Sequence, residues 1–201
     1  ARKDYLNALD DLVAFYQRTA PGSYYVARLE NLRRRLFPER MYMYFAEAET
    51  PPADLTPTDV IPEAEALYDE ALGLYRQGKG LVPLFLLTDY SKQRQALMLF
   101  RRLVRRYPSS TKIALSAYYI GEIYKEYFDR NLRAVQWYQR AWQWDPEIPR
   151  PARFQAATVW DLRLQNHGRA VEFYRAVIEH EQFNASNVAF AHRRLRKLLK
   201  R

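Results

Sequence analysis

Ala96-Leu97-Met98-Leu99-Phe100-Arg101-Arg102-Leu103-Val104-Arg105-Arg106-Tyr107-Pro108 sets a small residue, an aromatic four later, an aliphatic three beyond that and a proline after five more. The same landmarks return 38 residues on as Ala134, Tyr138, Ala141 and Pro146. They return again after a further 36 as Ala170, Tyr174 and Val177, with Gln182 where the proline would fall. Offsets of four and three place side chains on one helical face, and the small residue lets a neighbouring helix come close. Each segment therefore reads as the second helix of a hairpin.

Two of the first helices can be traced by the same landmarks. Ile120, Gly121 and Tyr124 precede Ala134 by 14, 13 and 10 residues, and Ala156, Ala157 and Trp160 precede Ala170 by the same intervals. Asp129-Arg130-Asn131 and Asn166-His167-Gly168 are polar turn formers and predict the links inside these hairpins. Pro108, Pro146 and Pro151 punctuate the joins between hairpins. In the first hairpin Tyr75 stands 21 residues before Ala96, so about 11 extra residues, in the span of about 79–90, interrupt it. That insertion holds Leu81-Val82-Pro83-Leu84-Phe85-Leu86-Leu87. Loops seldom carry so many large apolar residues unless these are buried or meet something, so Val82, Leu84, Phe85 and Leu86 form a candidate apolar docking loop. They are expected either to dock on a partner or to plug a groove of the same molecule.

Over residues 63–182 the landmarks and their period resemble the tetratricopeptide repeat, whose usual unit is 34 residues. The stretch from Ala64 to Gly78, the segment Ala96 to Ser110, and Ala117-Tyr118-Tyr119-Ile120-Gly121-Glu122-Ile123-Tyr124 are similar to bacterial envelope members of that superfamily. Those relatives include outer-membrane β-barrel assembly lipoproteins and periplasmic coordinators of the Tol-Pal system. The resemblance implies an all-α fold: a right-handed solenoid of about three helix-turn-helix hairpins, with first helices lining a concave surface and second helices forming the convex one. It puts Tyr118, Glu122, Lys125 and Glu126 on the groove from one repeat, and Phe154, Thr158 and Asp161 from the next. It further implies a noncatalytic scaffold holding a peptide or helix of a protein partner, in a bacterial cell-envelope or membrane-associated complex. The implied location is the periplasm or envelope; a cytoplasmic one is the alternative.

Outside the repeats, Tyr5, Leu9, Leu12, Val13 and Tyr16 form one amphipathic stripe and Tyr25, Leu29, Leu32 and Leu36 another, with the breaker Ala20-Pro21-Gly22-Ser23 between them. Residues 1–49 are expected to hold this helix pair together with the cluster Met41-Tyr42-Met43-Tyr44-Phe45. Pro51, Pro52, Pro57 and Pro62 make 50–62 an extended connector. Residues 183–201, with Phe190, Leu195, Leu198 and Leu199 apolar, read as a helix that caps the repeat stack.

Composition narrows the function. The longest apolar run is far short of the roughly 18 residues that span a bilayer. The amino terminus lacks a basic stretch followed by an apolar core, so any export signal is expected to have been removed. With no cysteine in the chain, disulfides, thiolate catalysis and cysteine-based zinc sites are excluded. His167, His180 and His192 lack metal-ligand spacing, and Gly78-Lys79-Gly80 lacks the rest of a phosphate-binding loop. No catalytic residue, metal or cofactor is expected. The carboxylates Glu63, Glu65, Asp69 and Glu70 read as solvated charge and His167 as a turn residue. The aromatic crowd from Tyr118 to Trp144 reads chiefly as core. A net charge of +9 invites anionic partners. The basic runs at 33–35, 101–106 and 193–201 read as solvated helix faces; the alternative is a basic surface that binds nucleic acid or anionic membrane.

Overall fold

The structure is a computed structural model that describes residues 12, 15, 16, 19, 20, 24–26, 28, 29, 32, 51–79 and 88–200. The chain divides into two compact units, Ala1–Glu49 and Thr50–Arg201. In the first, the described residues on both sides of the breaker are helical, while Ala20 is not. Tyr16 stacks on Tyr25 with ring centroids 5.8 Å apart, so the two helical stretches meet there, and Val26 is buried. Tyr5, Leu9, Val13, Leu36, the cluster Met41 to Phe45, and the candidate docking residues Val82, Leu84, Phe85 and Leu86 lie outside the described residues.

The second unit is all-helical among its described residues: α1 (Pro62–Gly78), α2 (Tyr90–Arg106), α3 (Ile113–Glu126), α4 (Asn131–Trp144), α5 (Ala152–Thr158), α6 (His167–His180) and α7 (Ala185–Leu198). Helix starts carry local causes. Pro62 opens α1, where its missing N–H costs nothing. Asp89 caps α2 by accepting from the Ser91 and Lys92 amides, Asn166 caps α6 through Arg169, and Asn184 caps α7 through Asn187. No described helix is long and apolar enough to cross a membrane.

Neighbouring helices pack as hairpins. In α1 and α2, Tyr75 meets Gln93 and Tyr68 meets Phe100, so numbers rise along one helix as they fall along the other. The nine landmarks, Ala96, Phe100, Leu103, Ala134, Tyr138, Ala141, Ala170, Tyr174 and Val177, are all fully buried. Gly121 explains how the second hairpin closes so tightly: a Cβ there would lie 2.7 Å from the ring of Tyr138.

The insertion does not disturb the first hairpin because its base is pinned. Asp89 N–H donates to the Gly78 carbonyl at 3.2 Å, and the buried Gln93 amide donates to the Tyr75 carbonyl at 3.0 Å, satisfying an orphan of the α1 terminus. A Cβ on Gly78 would sit 2.7 Å from that Gln93 nitrogen.

The links inside the next two hairpins are alike, though each lies slightly earlier than their sequences suggest. Asn131 and His167 are the first residues of α4 and α6, not turn residues. The turning is done by Asp129 and Gln165, which adopt left-handed φ values of 52° and 53°. The next amide in each case, Arg130 or Asn166, donates back six residues to Tyr124 or Trp160. A left-handed residue thus follows the end of each of these first helices, the conformation that commonly stops a helix. Both pairs are separated by the 36 residues that separate Ala134 from Ala170.

First helices also contact one another in series. Tyr68 and Tyr75 of α1 lie 6.3 and 5.1 Å from Tyr119 of α3, Lys125 of α3 reaches Gln155 of α5, and Phe154 of α5 packs on Phe190 of α7. α5 departs from regular geometry: it passes directly into a π-helical turn (Val159–Arg163). There the Leu164 amide bonds five residues back to Val159. α7 docks on α5 and α6, burying Ala191 and Leu195 against Ala157, Tyr174 and Val177.

Candidate partner-binding face

The face made by the first helices carries a ladder of polar bonds between aromatic rings. Tyr138 of α4 donates to Glu122 Oε1 at 2.6 Å, leaving that carboxylate able to face Lys125, whose Nζ lies 3.5 Å away. Lys125 also pairs with Glu126 at 2.9 Å and donates to Gln155 at 2.5 Å across the hairpin boundary. Arg163, from the π turn, reaches back to the Lys125 carbonyl at 2.9 Å and to Glu126 Oε2 at 3.2 Å. Beside these groups burial raises the Tyr75, Tyr118 and Tyr138 hydroxyls above their ordinary range, with Glu122 adding to the effect, so the rings stay neutral donors. The half-buried Tyr127 is pushed up to about 12, by burial first and then by Glu126 and Glu122.

A second cluster is built around Asp161. The π turn carries its carboxylate inward until the side chain is 0% exposed, and Arg194 of α7 grips it with Nε at 2.6 Å and Nη2 at 2.7 Å. Tyr174 donates to the same carboxylate at 3.0 Å, and His167 Nδ1 stands 3.6 Å away. Burial pushes the Asp161 carboxyl up, but the bonds from Arg194 and Tyr174 and the Arg194 charge outweigh it and hold it below the usual range. The Tyr138–Glu122 bond thus has a counterpart in Tyr174–Asp161.

A second fully buried carboxylate, Glu181, lies just after α6. It accepts the Arg153 and Phe154 amides at 2.7 and 3.1 Å and so caps the N-terminus of α5 from the far end of its own hairpin. Burial pushes Glu181 up to about 7 against the pull of those amides.

The structure therefore divides the residues assigned to the groove. Tyr118, Lys125 and Asp161 are buried, and Lys125 and Asp161 spend their polar atoms on neighbouring helices. Glu122, Phe154 and Thr158 are partly buried, and Glu126, with its side chain 43% exposed, is the most open of the seven. Arg194 departs from the expectation of a solvated basic run: its guanidinium is tied to Asp161. His167 opens α6 beside Asp161 and makes no metal cluster; no group of three or more metal-ligating side chains occurs among the described residues. Glu63, Asp69 and Glu70 are exposed, while Glu65 pairs with Lys112 at 3.0 Å.

Gln155, Arg163, Tyr174, Glu181 and Arg194 complete these clusters, and their roles had no signal in the sequence beyond polar character. Chemically, the described residues of this face offer paired charges and neutral phenols. No protein-family model matches this chain, and no curated protein matches it.

Proposed function

We propose that the chain is a tetratricopeptide-like scaffold, noncatalytic, that holds a protein partner on its first-helix face as a subunit of a bacterial cell-envelope complex. The observation that supports this reading is the serial packing of α1, α3, α5 and α7. It brings the first helices of successive hairpins side by side, and the expected groove residues Tyr118, Glu122, Glu126 and Thr158 belong to those helices. Such a face, with rings beside mixed charge, suits a peptide or helix that makes both polar and apolar contacts. The envelope location rests on the sequence resemblance alone.

The test is native purification followed by substitution. The chain is isolated with its associated proteins from fractionated membranes, and the partner's affinity is then measured for Glu126→Arg and Thr158→Tyr, both at positions with access to solvent. At least a tenfold loss with unchanged helicity is expected. Unchanged affinity would remove the groove assignment. A fall of orders of magnitude between about 50 and 200 mM salt would instead favour a polyanion on the basic helices.

A further inference from the structure

The connector is not a free tether. Arg140 Nε of α4 donates to the Pro51 carbonyl at 2.7 Å, and the Trp144 indole N–H donates to the Pro52 carbonyl at 2.9 Å. Farther along, Asp59 N–H donates to the Ser109 carbonyl and its own carbonyl accepts from Thr111, both at 2.9 Å, a parallel bridge around Ser110. The segment 51–59 is thus held at both ends through its backbone, without any helix of its own.

We propose that Arg140, Trp144 and the Ser109–Thr111 backbone form a binding site for a non-helical, proline-containing peptide of a partner protein, occupied in cis by the chain's own residues 51–59. The chemistry of the two ends is matched to such a ligand. Prolines have no N–H, and at Pro51 and Pro52 the site presents donors only. The Pro51 carbonyl belongs to the Pro51–Pro52 tertiary amide, an electron-rich acceptor, and a proline pair is already restricted to the extended form. An aromatic N–H aimed at the carbonyl of a proline-rich strand is a general solution for reading such segments.

The donors are set in place independently of the ligand. Arg140 Nη1 bonds Gln143 at 2.5 Å, and the Trp144 ring packs edge-on to Trp137 at 6.4 Å. At the other end the bridge is sequence-tolerant, because backbone reads backbone. Seven residue steps separate Pro52 from Asp59, and the path between them includes a turn at Ala53–Asp54. The site lies on α4 and the link between α2 and α3, not among the first-helix residues of the proposed partner face, and it stands whether or not that face binds anything.

A covalently attached occupant competes at an effective concentration of order 1 mM. A free peptide with an intrinsic dissociation constant near 0.1 mM is then weakened about tenfold. The experiment uses the whole chain with residues 51–57 replaced by Gly and Ser at equal length. A labelled peptide of residues 50–61 is titrated into it and followed by fluorescence anisotropy. Binding is expected, at least tenfold tighter than to the unaltered chain, and it is expected to vanish when Arg140→Gln and Trp144→Phe are added. An altered chain that is helical but does not bind, or binding indifferent to those two substitutions, overturns the proposal. Should the altered chain not fold, the unaltered chain gives a second reading under about 5 mM unlabelled peptide. Solvent exchange of the Asp59 amide should rise about ninefold while Thr111 stays protected; no change at Asp59 overturns the proposal.

Discussion

Replacing Asp161 with Asn keeps the shape of the side chain and removes its charge, which isolates what the carboxylate does for α7. Two unit charges about 4 Å apart interact by about 4 kcal/mol at an effective dielectric constant of 20. Arg194 is 21% exposed, and solvent at its outer edge screens part of that attraction. The variant also turns an amide N–H toward one of the Arg194 donors, leaving a bond unmade in a site with no exposure on the Asp161 side. Breaking one partner of a buried pair costs about 3–5 kcal/mol, and with the screening a loss of about 3 kcal/mol is expected. Because the chain has two compact units, a single global unfolding energy is a poor measure. Amide exchange at Ala191 and Leu195 of α7 reads the local loss directly. The carboxylate's contribution exists above its unfolded pKa, near 4, and disappears as pH falls through its lowered folded value, so the measurement belongs at pH 6–7. Adding Arg194→Met to Asp161→Asn should recover about 2 kcal/mol relative to the sum of the single losses. A single-variant effect under about 0.5 kcal/mol, or strict additivity, would refute the view that this pair holds α7.

Gly121→Ala should destabilise the second unit by about 1–2 kcal/mol in urea titrations, because the new Cβ meets the buried Tyr138 ring, whose hydroxyl is tied to Glu122. Gly73→Ala, with nothing within 4 Å of its added Cβ, should instead stabilise α1 by up to about 1 kcal/mol, which separates the packing effect from helix propensity. Glu181 has a folded pKa raised from near 4.5 to about 7, so it takes up a proton on folding between those values. The stability linked to it is complete below about pH 4.5 and lost as pH rises through about 7, a decline of up to about 3 kcal/mol. Thermal melts across pH 4–8 should show that decline flattened in Glu181→Gln, which has no titrating group.

The nine buried landmarks and the hairpin order were legible in the sequence because both rest on local spacing, which a 3.6-residue period translates directly into a buried face. The two links were placed about right but begin their helices earlier, since Asn131 and His167 look like turn residues by type while the turning falls to Asp129 and Gln165. Gln165 carries no local mark of a left-handed conformation; only its 36-residue offset from Asp129 does. The pairing of Asp161 with Arg194 was not legible. It joins residues 33 apart on different helices, and a charge in a basic run gives no sign of being turned inward. The π turn that carries Asp161 inward is equally silent, as a one-residue change of winding leaves composition untouched. For the candidate face, the helices came from the resemblance, while the division between buried rungs and open positions is visible only in tertiary contacts.

The bond between Asp89 and Gly78 has a consequence for how this chain can change. The Asp89–Gly78 and Gln93–Tyr75 bonds close the first hairpin where α1 stops and α2 begins. Doubling the length of a loop closed in this way costs only about 0.6 kcal/mol in closure entropy, less than many single core substitutions. A change of length between Gly78 and Asp89 should therefore leave the two helices in step, as long as the clasp of Gly78, Asp89 and Gln93 is kept. The molecule thereby separates a part that can vary from the parts that must pack.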